Sequence, residues 1–527
     1  MEHPFESFLE SFVPQIAAKS RQLNKIHWIL ETTGTKDAAD LYAEFNTELR
    51  LLFNDRTIYN RLLDWLRASS LFDSSSKRQL NILIRAFKQN MVPKELLSEI
   101  SKKESQLAYS YANFRASIDG KQVSENAIRD ILKNESNPQM RQRAWEASKE
   151  IGNVLAPQIL DLVRLRNEAA HSLGYENYFQ MQLELQEVDG QELFKTLDAL
   201  VDSSETAYAK LISELEKKQS HRFGVSADEL GPWAWAEPFC QEDPTDARSL
   251  DSLVANIDLC DISIKFYQKM GIDILPICNN SDMYEREGKN QHAFCTNIDR
   301  GTDIRTLNNI KPSMKWFETV FHEFGHAIYE MGYDPKLPWL FREPPHMITT
   351  EAMALLAGRQ VYRPGLLSEI SKDHEMIKKA EENERRRQLI FSRWVLVMTY
   401  FERELYRNPK QDLNKLWWQL VHKYQKIRIP KMRETKNDWA AKYHIGLAPV
   451  YYYSYLLGEL FASSIEETLL QKTGSKGIGN EAAGRFLNEY LFAPGNSMKW
   501  SELVQHVTGQ PLNAIAWVKD YCFTLPQ

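Results

Sequence analysis

A five-residue stretch at positions 322–326, which reads H-E-F-G-H, constrains this chain more than any other feature. On an α-helix His322 and His326 stand four residues apart, so their imidazoles project from one face, one turn apart. Apolar residues recur around the motif at three- and four-residue intervals, and Ser313 suits the start of a helix. Two imidazoles on one helix face can hold a single Zn²⁺, with Glu323 leaning over the same site. The stretch therefore predicts a helix that carries one zinc ion per chain.

The position of the third ligand separates the families that share this motif. A zinc site of this class needs three protein ligands and one open position for water. The astacin and adamalysin pattern needs Gly and His where this chain has Tyr329 and Gly332. An aminopeptidase-like arrangement needs Glu where this chain has Pro345. The spacing excludes the first pattern and disfavours the second.

A glutamate further along the chain can complete the site. Glu351 precedes a run of strong helix formers, and Thr349 or Thr350 is a candidate N-cap for that helix. Glu343 is a nearer carboxylate, but two prolines follow it and predict a loop. We therefore predict a ligand set of His322, His326 and Glu351. Such a set suits zinc, although Co²⁺ or Mn²⁺ can occupy the same kind of site.

A second group of polar and aromatic residues follows at positions 442–455. Four tyrosines crowd into positions 451–455, shortly after His444. Tyr452 and Tyr455 are three residues apart and would share a helix face. A phenol opposite a metal ion can donate to a developing oxyanion without adding a competing charge.

These stretches together resemble the zinc oligopeptidases, a group that joins the thimet oligopeptidase and oligoendopeptidase family to the angiotensin-converting-enzyme family. The resemblance begins with the motif and the later Thr350-Glu351. Residues 441–444, Ala-Lys-Tyr-His, are similar to Ala-Lys-Phe-His of the converting enzymes, and residues 452–456 are similar to Tyr-Tyr-Gly-Tyr-Leu of the thimet type. His292-Ala293 and residues 303–305 resemble the substrate-strand segment of the converting enzymes. The likeness is sharp over residues 292–459.

The resemblance implies a mainly α, two-lobed, zincin-type peptidase with a deep channel. The whole chain, 1–527, would be one catalytic unit, in which residues 1–219 form one channel wall and residues 220–527 carry the zinc site. The pattern itself predicts successive helices and no strand before residue 219. It also predicts a hairpin of strands 292–298 and 303–307 beside the metal helix, and Trp233 and Trp235 packed against the body of the protein.

Several residue roles follow from the same resemblance. Tyr455 would be the oxyanion donor and Tyr452 its companion, while an alternative alignment selects Tyr453; Gly458 favours Tyr455, because it then falls at a small residue of both families. His444 would bind the intermediate or the substrate backbone. Among the residues that would bind substrate, Ala293 would lie on the docking strand, His292 would bond a substrate carbonyl, and Lys442 would occupy the position of a carboxylate clamp.

The expected function is zinc-dependent hydrolysis of short peptides. The metal would activate water and polarise the scissile carbonyl, and Glu323 would be the general base. We rank an oligoendopeptidase first. The alternatives are a peptidyl dipeptidase, motivated by Lys442, and a metal-binding scaffold that captures peptides without cutting them.

Composition excludes other classes of function. A net charge of -6 provides no basic footprint for nucleic acid. No apolar run is long enough to span a membrane, and the acidic N-terminus does not resemble a secretory signal. The five scattered Cys include no C-x-x-C pair and predict reduced thiols in a cytoplasmic protein, either a monomer or a homodimer.

Overall fold

The fold is mainly helical. The computed structural model describes residues 4–245, 248–475 and 477–523. It is 71% helical, and the strands in the described ranges form two short antiparallel pairs. The prediction of a mainly α fold with a small hairpin is confirmed. None of the described helices is both long and apolar enough to cross a membrane.

Helices make up most of the described elements, and the four short strands fall between α5 and α6 and between α11 and α12. In chain order the helices are α1 (Pro4–Thr33), α2 (Lys36–Leu52), α3 (Arg56–Arg67), α4 (Ser74–Asn90), α5 (Lys94–Asn113), α6 (Glu125–Asn134), α7 (Pro138–Ser172), α8 (Tyr178–Leu185), α9 (Gly190–Phe223), α10 (Leu259–Lys269), α11 (Leu275–Asn280), α12 (Met314–Met331), α13 (Met347–Arg359), α14 (Pro364–Ile370), α15 (His374–Arg407), α16 (Leu413–Leu420), α17 (Tyr443–Leu447), α18 (Tyr453–Thr473), α19 (Glu481–Leu487), α20 (Trp500–Thr508) and α21 (Ile515–Tyr521). The strands are β1 (Ala116–Ile118), β2 (Lys121–Val123), β3 (Phe294–Asn297) and β4 (Ile304–Leu307).

Two compact units share this chain, and each combines segments that are distant in sequence. The first unit contains Met1–Met91, Arg248–Glu381 and Leu457–Ala516. The second contains Val92–Ala247, Glu382–Leu456 and Trp517–Gln527. The boundaries between these units do not fall at residue 219. The roles of residues 1–219 as a channel wall and of residues 220–527 as the catalytic part stay predictions.

Helix α12, in the first unit, forms as the motif predicts. The Ser313 hydroxyl accepts a hydrogen bond from the Trp316 amide at 3.3 Å and caps the helix. Burying one apolar side chain stabilises the folded state by roughly 1.5–3 kcal/mol. The apolar face of α12 is therefore buried, and the other face of the helix is left for polar groups. The buried apolar side chains of α12 are Phe317, Val320, Phe321, Phe324 and Ile328.

Helix α13 begins earlier than the sequence predicts. His346 is the N-cap, and its Nδ1 accepts a hydrogen bond from the Ile348 amide at 2.9 Å. Thr349 and Thr350 are therefore inside the helix, and the prediction of either as the N-cap is wrong. A histidine ring nitrogen can cap a helix as a side-chain oxygen does, although cap preferences favour Ser, Thr, Asp and Asn.

A short hairpin in the second unit contradicts the prediction of no strand before residue 219. Strands β1 and β2 pair in register from Ala116↔Val123 to Ile118↔Lys121. Asp119 and Gly120 join them with φ of 52° and 76°. An Asp-Gly pair is a strong signal for such a two-residue turn, so the sequence contained the information that the prediction missed.

The hairpin next to α12 is close to the predicted one. Strands β3 and β4 pair antiparallel from Phe294↔Leu307 to Asn297↔Ile304. The far side of β4 is bridged at Leu307 by Asp282. His292 and Ala293 lie immediately before β3 rather than in it, and the His292 amide donates to Asn290 Oδ1 at 2.9 Å.

The tryptophans of the irregular segment after α9 pack in the second unit, as predicted. Trp233 and Trp235 are both buried. The fully buried Arg141 donates to the carbonyl oxygen of Trp233 at 3.0 Å and to that of Trp235 at 2.9 Å. These bonds satisfy the guanidinium and hold the segment against α7.

Candidate metal centre

The two histidines of the motif stand on one face of α12. Their ring centroids are 4.8 Å apart. Burial, followed by the charge of His322, holds the pKa of His326 well below its usual range. His326 is therefore neutral at physiological pH, which is the form that binds a metal ion.

Glu351 on α13 completes a three-residue cluster with them. Its Oε2 lies 3.7 Å from Nε2 of His322, and the ligand atoms of His322, His326 and Glu351 are all within 4.8 Å of one another. Two ligands about 2.0–2.1 Å from a tetrahedral zinc ion are about 3.3 Å apart, so the ligand atoms would move closer by up to about 1.5 Å to hold zinc. In the described parts of the chain, no other three His, Cys, Asp or Glu residues group this way.

The alternative carboxylate, Glu343, is engaged elsewhere in the first unit. It forms an ion pair with Arg300 and accepts a hydrogen bond from Asn496 Nδ2 at 3.2 Å. These contacts occupy its oxygens, and it is not a member of the cluster.

Close helix packing brings Glu351 to the histidines. A Cβ atom at Gly325, within the motif, would lie 2.7 Å from Cα of Ala354 and 2.9 Å from Cβ of Ala357. A Cβ at Gly458 on α18 would lie 3.2 Å from Cβ of Glu351. Glycine at these positions lets α12 and α18 approach α13 more closely than any larger residue would.

Thr350 orients one of the imidazoles. Its hydroxyl oxygen is 2.7 Å from Nδ1 of His326. If this bond is made by the Nδ1 proton, Nε2 keeps its lone pair for a metal ion. Such a partner fixes the ring orientation and the tautomer of a metal-binding histidine.

A buried ionic network holds α13 against α18 behind the site. Arg359 donates to Glu459 Oε2 at 2.5 Å and to Ser463 Oγ at 2.9 Å, and its Nη1 is 3.8 Å from Glu466 Oε2. Arg363 also pairs with Glu466, at 3.0 Å. Removing one partner of a buried pair typically costs about 3–5 kcal/mol, so this network resists movement of the helix that carries Glu351.

Glu323 is buried next to the ligand cluster. Burial raises its pKa to about 8, and the charge of Glu351 adds to the rise. A carboxylate with a pKa near neutrality can both accept and return a proton, and a divalent cation at the cluster would favour its ionised form.

In the second unit, several residues of the 442–455 group lie around the buried ammonium of Lys442. Lys442 is 8% exposed, and its Nζ lies 3.3 Å from Oε1 of Gln241. Burial lowers the pKa of Lys442 to about 8, although the charge of Glu237 opposes this. The described residues provide Lys442 with no ion pair. Instead its ammonium lies 5.1–5.5 Å from the ring centroids of Phe239, Trp394 and Tyr452.

His444 and Tyr452 pack beside this cation. Their ring centroids are 4.9 Å apart, and Tyr452 Oη is 3.4 Å from Oε1 of Gln241. Burial, followed by the charge of Lys442, lowers the pKa of His444 to about 4. His444 is therefore neutral and has one N–H to donate to an oxygen atom.

The neighbouring tyrosines differ in burial and in the contacts that they make. Tyr453 is 1% exposed, and its hydroxyl donates to Oε1 of Gln186 at 2.8 Å. Tyr455 is half-buried and packs edge-on against Tyr451 and Tyr452. The choice between Tyr453 and Tyr455 as the donor to a bound group stays a prediction.

Four residues have roles at these sites that were not predicted from the sequence. Gly325 and Thr350 act through contacts between helices, and Gln241 and Glu237 come from the irregular segment before α10. Gln241 and Lys442 are 201 positions apart in the chain, and no local pattern connects them.

Helix α12 presents the H-E-x-x-H motif, and α13 presents the carboxylate of Glu351 as a third ligand. In a mainly α fold, these features define the class as a helical H-E-x-x-H metal-site protein. The sequence model of the peptidase M2 family, described as angiotensin-converting enzyme, matches residues 1–228 and 237–525. This chain belongs to that family.

Its curated relatives carry the same description. It is 25% identical over 429 residues to angiotensin-converting enzyme of Sus scrofa, covering 70% of this chain and 31% of the relative. It is 24% identical over 409 residues to angiotensin-converting enzyme-like protein Ace3 of Mus musculus, covering 70% and 55%. It is 22% identical over 574 residues to angiotensin-converting enzyme of Mus musculus, covering 98% and 42%.

The chain thus spans between about a third and just over half of the length of these relatives. The relatives and the matching model are of the converting-enzyme type. The thimet oligopeptidase part of the resemblance is therefore not supported, and the ranking of an oligoendopeptidase first loses its basis.

Proposed function

We propose that this chain is a zinc-dependent peptidase that binds short peptides by their free C-terminus and releases dipeptides. The observation that carries the proposal is the cluster of His322, His326 and Glu351 beside the buried Glu323. A purely structural zinc site closes its fourth position with another ligand and has no use for a buried base.

Each predicted site residue has one part in the proposed reaction. When bound, zinc supplies a Lewis acid that polarises a carbonyl and acidifies water. Glu323 takes a proton from the attacking water and returns it to the leaving amine. The neutral His444 and the phenol of Tyr455 are the candidate donors to the oxyanion of the tetrahedral intermediate, a role worth about 10²- to 10³-fold in turnover for one donor.

Lys442 supports the choice of a free C-terminus. It is a buried cation without an ion pair in the described structure, and the hydroxyl of Tyr452 is directed to the same acceptor, Oε1 of Gln241. Two donors that converge on one oxygen position suit a carboxylate. The release of two residues, rather than one or three, rests on the family.

The hairpin supplies the remaining substrate contact. Within the part of the chain that the structure describes, strand β3 pairs with β4 on one side only, so its outer edge can accept an extended peptide through backbone hydrogen bonds. Ala293 directly precedes β3, and the exposed His292 precedes Ala293. A peptide bound along this edge would have a carbonyl within reach of His292.

A nonapeptide offered with a free and with an amidated C-terminus tests the proposal. Products are mapped by mass spectrometry with and without a chelator, and the Glu323→Gln protein is the control for contaminating peptidases. We expect chelator-sensitive release of dipeptides from the free acid and little cleavage of the amide.

The other outcomes identify the alternatives. Equal cleavage of both peptides at internal bonds would establish an oligoendopeptidase instead. Zinc-loaded protein that binds the peptide but cuts neither form would be the peptide-capture scaffold.

A further inference from the structure

The turn that joins α17 to α18 contains a residue in an unfavourable backbone conformation. Val450 has a φ of 57° and is 1% exposed. This left-handed region suits glycine, whereas a β-branched residue is found there only when its surroundings hold it in place. The turn lies between His444 and the tyrosines at positions 451–455, so its conformation determines how these side chains are placed relative to one another.

A buried carboxylate of α15 holds this turn. Glu402 is 2% exposed, and its Oε1 accepts a hydrogen bond from the Val450 amide at 2.9 Å. Burial raises the pKa of Glu402 to about 8, while the bond from Val450 and the charge of Arg166 oppose that rise. A buried backbone amide without an acceptor is unfavourable, so this bond stabilises the left-handed conformation of Val450.

Arg166 of α7 holds the chain at the other end of the same segment. It is 1% exposed, and it donates to the carbonyl oxygen of Gly446 at 2.8 Å and to Tyr406 Oη at 3.2 Å. Tyr406 lies one helical turn after Glu402 on α15, so both anchoring contacts involve the same face of that helix. Buried hydrogen bonds from two helices therefore fix residues 446 and 450.

We propose that Glu402 is a positioning residue for the donors to the oxyanion, which it places by holding Val450 in the left-handed conformation. The bond fixes the direction in which α18 leaves the turn, and with it the placement of Tyr453 and Tyr455 relative to His444. This inference rests on the proposed function, in which His444 and one of these tyrosines stabilise the intermediate. A displacement of about 1 Å in a reacting or stabilising group can cost about 100-fold in rate, so the effect belongs in kcat.

Two substitutions of Glu402 separate the position of the acceptor from the charge. Glu402→Gln keeps an oxygen at the same distance from Val450 and loses the charge, so it should keep most of the wild-type kcat. Glu402→Asp keeps the charge but is one methylene shorter, so it should lower kcat about 10- to 100-fold with KM nearly unchanged. The matched control is Glu404→Asp on the same helix, where the carboxylate pairs with Arg403 and Arg407 instead, and it should have the wild-type kcat. The reverse order of Glu402→Gln and Glu402→Asp would overturn the inference.

A second substitution at Val450 tests the link to the turn. Glycine adopts a positive φ without steric cost, so Glu402→Asp/Val450→Gly should have a higher kcat than Glu402→Asp. If Glu402 served only the stability of the fold, the second substitution would remove a buried side chain and make the protein worse. Should Glu402→Asp fold poorly, recovery of folding in the double variant supports the inference by the same reasoning. Absence of any recovery overturns it.

A further readout does not require cleavage. The protein is labelled with 3-fluorotyrosine, and the ¹⁹F NMR resonances of Tyr453 and Tyr455 are assigned by their loss in the two Phe variants. Glu402→Asp should shift or broaden these resonances, Glu402→Asp/Val450→Gly should return them toward their wild-type positions, and Glu404→Asp should leave them in place. A wild type that cuts no peptide would overturn the proposed function, while the spectra would still show whether Glu402 places the tyrosines. Unmoved resonances in Glu402→Asp would overturn the inference even in an active peptidase.

Discussion

The packing of α12 on α13 makes a sharp prediction for Gly325→Ala. The new Cβ would lie 2.7 Å from Cα of Ala354, a backbone atom that cannot rotate away. Carbon atoms prefer separations of about 3.5–4.0 Å, so the two helices must separate by roughly 0.8 Å or distort. Helix α13 carries Glu351, and its 3.7 Å separation from His322 would change with that movement.

The magnitudes follow from this displacement. Overpacking a well-packed contact costs about 1–3 kcal/mol, and the better helix propensity of Ala offsets up to about 1 kcal/mol of that. We therefore expect the metal-free protein to lose about 1–2 kcal/mol in unfolding free energy. The zinc affinity should fall at least about tenfold, as it does when a metal ligand loses its support.

Two other glycines provide a graded comparison. Gly458→Ala places its Cβ 3.2 Å from Glu351 Cβ, and we expect a smaller loss of zinc affinity. Gly365→Ala on α14 meets no atom within 4 Å and should be neutral or slightly stabilising. Denaturant unfolding of the metal-free proteins and zinc titrations against a competing chelator measure both quantities. Wild-type zinc affinity in a destabilised Gly325→Ala protein would refute the claim that this glycine determines the ligand geometry.

Further predictions concern the chemistry of the two sites. Glu323→Gln removes the proton acceptor, so turnover should fall about 10²- to 10⁴-fold while zinc content, measured by mass spectrometry, stays at one per chain; normal turnover would exclude Glu323 as the base. Thr350→Val removes the partner of His326 Nδ1 and should weaken zinc binding about 10- to 100-fold in a chelator competition, with unfolding of the metal-free protein nearly unchanged. For Lys442 the sign is set by its lowered pKa of about 8: the ammonium is lost as pH rises through that value, so KM should rise for free-acid peptides only, and a flat pH profile would argue against its role. Lys442→Met should raise the same KM at neutral pH by at least about 30-fold. Removing zinc should lower the unfolding free energy by about 2.7 kcal/mol relative to protein in zinc at 100 times its Kd, as seen in thermal unfolding with and without chelator.

The predictions that succeeded depended on local geometry. Ser313 begins α12, and the i, i+4 spacing places His322 and His326 together, because helical periodicity is decided within one or two turns. The predictions that failed also concerned local structure, at positions where two local conformations compete. His346 caps α13 instead of Thr349 or Thr350, and Asp119-Gly120 forms a turn in a region that otherwise reads as helix.

The sequence by itself determined which helix carries the metal motif, which residue types can bind the ion, and the mainly α class, because each depends on residues a few positions apart. Only the tertiary structure decided that Glu343 pairs with Arg300, that Gly325 lets two helices close on the ligand cluster, and that Gln241 meets Lys442. These contacts join residues tens to hundreds of positions apart, and their free energy depends on the packing and burial of whole elements, which no short stretch of sequence contains.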